Sequence, residues 1–136
     1  MENMNESQMI GAVALELEGK GIETLTSTVI SGMRADIIAK SPLLHKQWIF
    51  EIKAGLGKPS FSTVNQASRL RDAVIASDPR FGFEDVEAIF VTNQKLESDL
   101  RDYAEKLQVK VVNVKDWSDV QSVVNVVITT QGEDPF

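Results

Sequence analysis

Between residues 22 and 54 three β-type segments follow one another with no helical segment between them, and this run restricts the possible folds more than any other feature. Ile22 to Ile30 (Ile-Glu-Thr-Leu-Thr-Ser-Thr-Val-Ile) is rich in β-branched residues and roughly alternates in polarity. After a turn at Gly32, Ala35 to Ala39 (Ala-Asp-Ile-Ile-Ala) forms a short second strand. Ser41 and Pro42 open a loop, and Gln47 to Ala54 (Gln-Trp-Ile-Phe-Glu-Ile-Lys-Ala) is a third, mostly apolar strand.

Helical patterns flank this run. Glu6 to Glu18 places Ile10, Val13, Ala14 and Leu17 at helical spacing, and Gly19 and Gly21 stop it. Beyond a connector with Gly55, Gly57 and Pro59, Ser62 to Ala76 is a helix capped by Ser62, with Val64, Ala67, Leu70, Ala73 and Val74 as its buried stripe. Ala88 to Thr92 is a buried-type strand, Gln94 to Leu107 a charged helix with Leu96, Leu100, Tyr103, Ala104 and Leu107 inward, and Val109 to Val114 a fifth strand. Asp116 to about Val127 fits a final helix, but its valines also suit a strand. Three neighbouring strands followed by alternating helices and strands imply an α/β fold, a mixed sheet with helices on both faces. One domain over residues 1–130 and a frayed acidic tail over 131–136 are expected.

Composition removes several classes of function. A chain of 136 residues with 43% hydrophobic and 25% charged residues is long enough and apolar enough for a core, so it is not mainly disordered. No stretch approaches the roughly 20 apolar residues of a membrane span. Acids at Glu2 and Glu6 stand where a secretory signal carries positive charge, so a cytoplasmic protein is expected. The absence of cysteine rules out disulfides and thiolate metal sites. A net charge of −6 opposes binding to phosphate backbones, but it is unevenly spread: −4 over residues 1–30, +4 over 31–73 and −6 over 74–136.

The basic middle third also holds the candidate chemistry. Side chains alternate along a strand, so Trp48, Phe50 and Ile52 point one way while Ile49, Glu51 and Lys53 point the other. An acid and a base at the end of an apolar strand are costly unless paired or bound to an ion. Asp36 lies fifteen residues before Glu51, and if the second and third strands form a hairpin the two acids converge at one end of it.

Asp36 followed by Glu51-Ile52-Lys53, within an αβββαβ order, resembles the PD-(D/E)xK nuclease superfamily, which includes restriction enzymes and Holliday-junction resolvases. The resemblance covers roughly residues 6 to 112 and departs at Ala35, where a proline often precedes the first acid. It implies a restriction endonuclease-like fold and a divalent-metal phosphodiesterase site. Asp36, Glu51 and the carbonyl of Ile52 would hold Mg²⁺ (or Mn²⁺), and Lys53 would orient a water or stabilise developing charge. A second acid-x-Lys, Glu18-Gly19-Lys20, falls in a glycine-flanked turn and lacks that setting.

Further positions map onto the superfamily with alternatives open. Glu6 or Glu16 would supply a helix-one glutamate to the metal shell, or Glu6 is a first-turn acid favoured by the helix dipole. Gln66 matches a glutamine of several nuclease lineages, or is a solvated helix residue. Arg34, Lys58, Arg69 and Arg71 are candidate phosphate contacts or plain surface charge. His45 has no nucleophile at a suggestive spacing, and Trp48 and Phe50 read as core. The activity implied is endonucleolytic cleavage of DNA by a homodimer or a subunit of a larger complex. The alternative is a non-catalytic interaction protein on the same fold.

Overall fold

In the computed structural model, which describes residues 5–55, 59–115 and 119–131, the β-rich run forms the first three strands of a five-stranded sheet. These are β1 (Glu23–Ile30), β2 (Met33–Lys40) and β3 (Gln47–Lys53), joined in order by β4 (Val86–Thr92) and β5 (Val109–Asn113). β1–β2 and β2–β3 pair antiparallel, whereas β3–β4 and β4–β5 pair parallel, so the sheet is mixed. The β1–β2 turn is the two-residue pair Ser31 (φ 51°) and Gly32 (φ 79°). Both sit in the left-handed region that a tight hairpin needs to follow the strand twist.

Parallel neighbours need a crossover, and helices provide it: α2 (Phe61–Ser77) lies between β3 and β4, and α3 (Ser98–Lys106) between β4 and β5. The remaining helices are α1 (Glu6–Gly19) and α4 (Val120–Gln131). α1 and α4 bury Met9, Val13, Leu17, Val123, Val124 and Val127 against Trp48, Phe50 and Ile52 on one face. α2 and α3 cover the other face through Val64, Leu70, Val74 and Leu100. Among the described residues no helix is long and apolar enough to cross a membrane.

The structure settles the ambiguous last segment as helix. Val120, Val123, Val124 and Val127 recur at helical spacing and are all buried, so packing against α1 overrides the strand preference of valine. α2 starts from Ser60 and not from Ser62; the Ser60 backbone N–H donates to Thr63 Oγ1 at 3.3 Å. α3 begins at Ser98, four residues later than its sequence pattern. Gln94 N–H donates to Thr92 Oγ1 and Asn113 Nδ2 to the Gln94 carbonyl, bonds that hold this stretch out of the helix. In α1 Met9 joins Val13 and Leu17 as fully buried, with Ile10 at the margin of the core. A 3₁₀ turn at Phe83–Asp85 leads into β4, which begins at Val86, before the expected Ala88. The expected tail lies outside the described residues from position 132 onward.

Candidate active site

The β2–β3 ladder ends at Ile37↔Phe50, one step short of the Asp36–Glu51 position. Beyond it a side chain takes over from the backbone: Ile52 N–H donates to Asp36 Oδ2 at 2.8 Å, a buried bond. On the other side of Asp36, β1 pairs Thr26 with Ile37 and Thr28 with Ala35, but Ser27, between them, has φ 51°. An L-residue in that region costs about 1–2 kcal/mol. Strand alternation breaks here. Ala35 and Ile38 share one apolar cluster, while Ile37 and Ala39 belong to the cluster on the opposite face. The irregular step turns the Asp36 carboxylate sideways toward β3.

On β3 alternation is regular. Trp48, Phe50 and Ile52 enter the α1–α4 core, and Ile49 packs under α2. Glu51 and Lys53 share the Ile49 face, where apolar residues give way to a cleft of about 320 Å³. Asp36, Glu51, Ile52 and Lys53 line it together with Glu6 from α1 and Ser62, Thr63 and Gln66 from the start of α2. Lys53 Nζ stands 3.8 Å from Glu6 Oε2.

Two acids in this setting resist ionisation. Burial is the main cause that pushes the Glu51 carboxyl up to about 8, and the charges of Asp36 and Glu6 add to it; Arg34 and Lys53 oppose the shift. Burial raises Asp36 as well, against the lowering effect of the Ile52 N–H and of Arg34. Glu51 Oε1 is buried with no hydrogen-bond partner among the described residues. A buried acceptor in that condition costs about 1–3 kcal/mol.

A divalent cation fits this donor set. The available atoms are carboxylate and carbonyl oxygens, which suit a hard ion, and the sole histidine, His45, stacks on Phe81 in a distant loop. Among the described residues no three or more His, Asp or Glu side chains gather as a ready-made cage. Two carboxylates and one carbonyl leave room for the waters that Mg²⁺ usually keeps.

The other sequence-derived candidates divide. Arg34 and Gln66 line the cleft, whereas Arg69 is exposed on α2 away from it, and Glu16 is not among its lining residues. Arg71 is tied into the fold instead of lying on the surface. It is 4% exposed, donates to the carbonyls of Leu107 and Gln108 at 2.9 Å each and to Ser68 Oγ, and lies 4.5 Å from the Phe83 ring centre. Its guanidinium closes the C-terminal end of α3 through these carbonyls, and Arg71 is not among the residues that line the Asp36–Glu51 cleft. Lys58 lies outside the described residues. Ser62 and Thr63 had no signal beyond their place in the first turn of the helix after the Lys53 strand.

No protein-family model and no curated protein matches the chain. Solved structures do. A repair endonuclease from Pyrococcus abyssi superposes with a TM-score of 0.63 and 16% identity, over 85% of this chain and 49% of the other. EndoMS in complex with double-stranded DNA gives 0.66 and 14%, over 85% and 46%. Can2 from Sulfobacillus thermosulfidooxidans, in complex with cyclic tetra-adenylate, gives 0.64 and 10%, over 88% and 35%. The chain therefore spans less than half the length of each of these proteins.

Proposed function

Because the chain has the restriction endonuclease-like fold, we propose that it is a divalent-metal-dependent endonuclease that hydrolyses phosphodiester bonds in DNA. The observation that carries this reading is the convergence of Asp36, Glu51 and Lys53 in one cleft, with a buried Glu51 oxygen left without a partner among the described residues.

Asp36, Glu51 and the Ile52 carbonyl are the groups that would hold Mg²⁺ or Mn²⁺. Such an ion supplies a water of lowered pKa and offsets charge on phosphoryl oxygens. The chain's own residues do the positioning. The Ile52 N–H donates to one oxygen of the Asp36 carboxylate and leaves the other for the cation. Lys53, beside Glu51 on the same strand face, orients the attacking water or stabilises the negative charge that develops on the phosphate. Lys53 is held near the cleft by Glu6, which either completes the metal shell or serves only as that tether. Arg34 provides a cation at the rim for a flanking phosphate, and Gln66 a neutral donor.

The net charge of −6 weakens any long contact with DNA, so the protein works as a homodimer or within a larger complex that adds binding surface. One of the similar structures, EndoMS, is a complex with double-stranded DNA, which supports DNA as the substrate class.

The test is to incubate the protein with supercoiled plasmid, single-stranded DNA and a four-way junction in Mg²⁺, Mn²⁺ or chelator, alongside Glu51→Ala and Lys53→Ala. Metal-dependent cutting that disappears in both variants is expected. A folded protein that cuts none of them points instead to the non-catalytic reading of the fold.

A further inference from the structure

A second and larger cleft, about 650 Å³, opens beside the candidate active site and is lined by Phe61, Gln94, Lys95, Glu97 and Asp99. The two clefts meet across the first turn of α2. Phe61 lines the larger one, and the next two residues, Ser62 and Thr63, line the catalytic one.

Phe61 is 50% exposed, although its ring packs against a second aromatic side chain. Tyr103 of α3 meets it nearly at right angles, 81° between planes and 5.0 Å between ring centres. Tyr103 is itself held by a 2.8 Å bond from its hydroxyl to Asn65 Oδ1. The ring is thus in edge contact with Tyr103, half exposed and part of the cleft wall, a setting that suits a stacking platform. Gln94, on the same wall, is anchored by its side-chain amide to the Gly55 carbonyl.

The charges of the cleft decide which part of a nucleotide fits. Glu97 and Asp99 stand on its α3 rim against the single cation Lys95 among its lining residues. Two carboxylates repel a phosphate but accept hydrogen bonds from ring and exocyclic N–H groups of a base. We infer that this cleft receives an unpaired nucleobase next to the scissile phosphate, stacked on Phe61, so that the preferred DNA is single-stranded or locally unpaired at the cut. A base within a duplex offers only its edges in the grooves, and must leave the stack to present a face to Phe61. This inference rests on the phosphodiesterase reading of the neighbouring cleft for its orientation.

The experiment measures binding without cutting. Fluorescence anisotropy of a labelled single-stranded oligonucleotide in chelator would be compared for the unsubstituted protein, Phe61→Ala and Phe61→Trp, with a fully paired duplex of the same sequence as the second ligand. Loss of one stacked base weakens binding about ten-fold. Phe61→Ala is therefore expected to bind the single strand about ten-fold more weakly, with Phe61→Trp restoring it and duplex binding unchanged. 2-Aminopurine in the single strand should be quenched by the unsubstituted protein and not by Phe61→Ala. Equal single-strand affinity of Phe61→Ala, or an equal loss on duplex, overturns the inference. Melting curves of each variant exclude a folding defect. Cleavage in Mg²⁺ is scored separately: cutting with no Phe61 dependence removes the base site alone, and Phe61-dependent binding without cutting keeps the base site while removing the nuclease reading.

Discussion

One face of the sheet carries a continuous apolar layer, and the other carries two smaller ones with a polar gap at their edge. Under α1 and α4, Met9, Leu17, Trp48, Phe50, Ile89 and Val124 form a single cluster. Under α2 and α3 the core is divided: Val64, Ala67 and Phe90 belong to one group, and Ile38, Ile49 and Leu70 to another. Glu51 lies where the two would join, next to Ile49 along β3 and opposite Phe90 in the β3–β4 register. An apolar side chain there would continue the layer. The difference teaches that the first face is built for stability, while the second gives up part of its packing to hold two acids. Local rules tend to be broken where function requires it.

The largest expected effect sits on the continuous face. Phe50→Ala should cost about 3–5 kcal/mol, measured by urea denaturation, because Phe50 is fully buried within one continuous apolar cluster. A loss below about 1 kcal/mol would contradict the contrast between faces.

Two polar residues on the divided face should then part in sign. Arg71→Ala removes the donors to the Leu107 and Gln108 carbonyls and should destabilise by about 2–3 kcal/mol in the same assay. Glu51→Gln should stabilise the metal-free protein at pH 8 by about 1 kcal/mol, since it deletes a charge the fold disfavours. If both destabilise equally, Glu51 is an ordinary structural acid.

The pH dependence sharpens this further. The Glu51 carboxyl stands at about 8 in the folded chain against an ordinary 4.5. The protonated form is the one the fold prefers, so its contribution is fully present below about 4.5 and is lost as pH rises through about 8. Thermal melting between those limits should fall with pH in the unsubstituted protein and fall less in Glu51→Gln. Parallel pH profiles would mean that Glu51 is not the titrating group.

Much of this arrangement is legible in the sequence. The alternation of Ile49, Glu51 and Lys53 against Trp48, Phe50 and Ile52 is a local property of a strand, and it holds in the structure. The Asp36 position is legible as well, but its geometry is not. The break at Ser27 and Asp36 depends on two strands together, and nothing in Thr-Ser-Thr announces a positive φ. Arg71 is illegible for a different reason. A basic residue on a helix after the Glu51–Lys53 strand suits phosphate contact, and its bonds to the carbonyls of Leu107 and Gln108, 36 and 37 residues later, depend on tertiary packing. Likewise the valines of α4 satisfy both periods until α1 supplies the surface they pack on. Phe61 reads as one more apolar residue before a helix, and its exposure becomes visible only with the open cleft beside it.

The measurement that bears most directly on the cleft is calorimetric titration of Mn²⁺ into the protein without DNA, repeated with Glu51→Gln and Asp36→Asn. The account predicts binding by the unsubstituted protein and its loss in both variants while their melting curves show folded chains. Unchanged Mn²⁺ binding in both, or no binding by any of the three, would contradict the assignment of Asp36 and Glu51 as the residues that hold the metal.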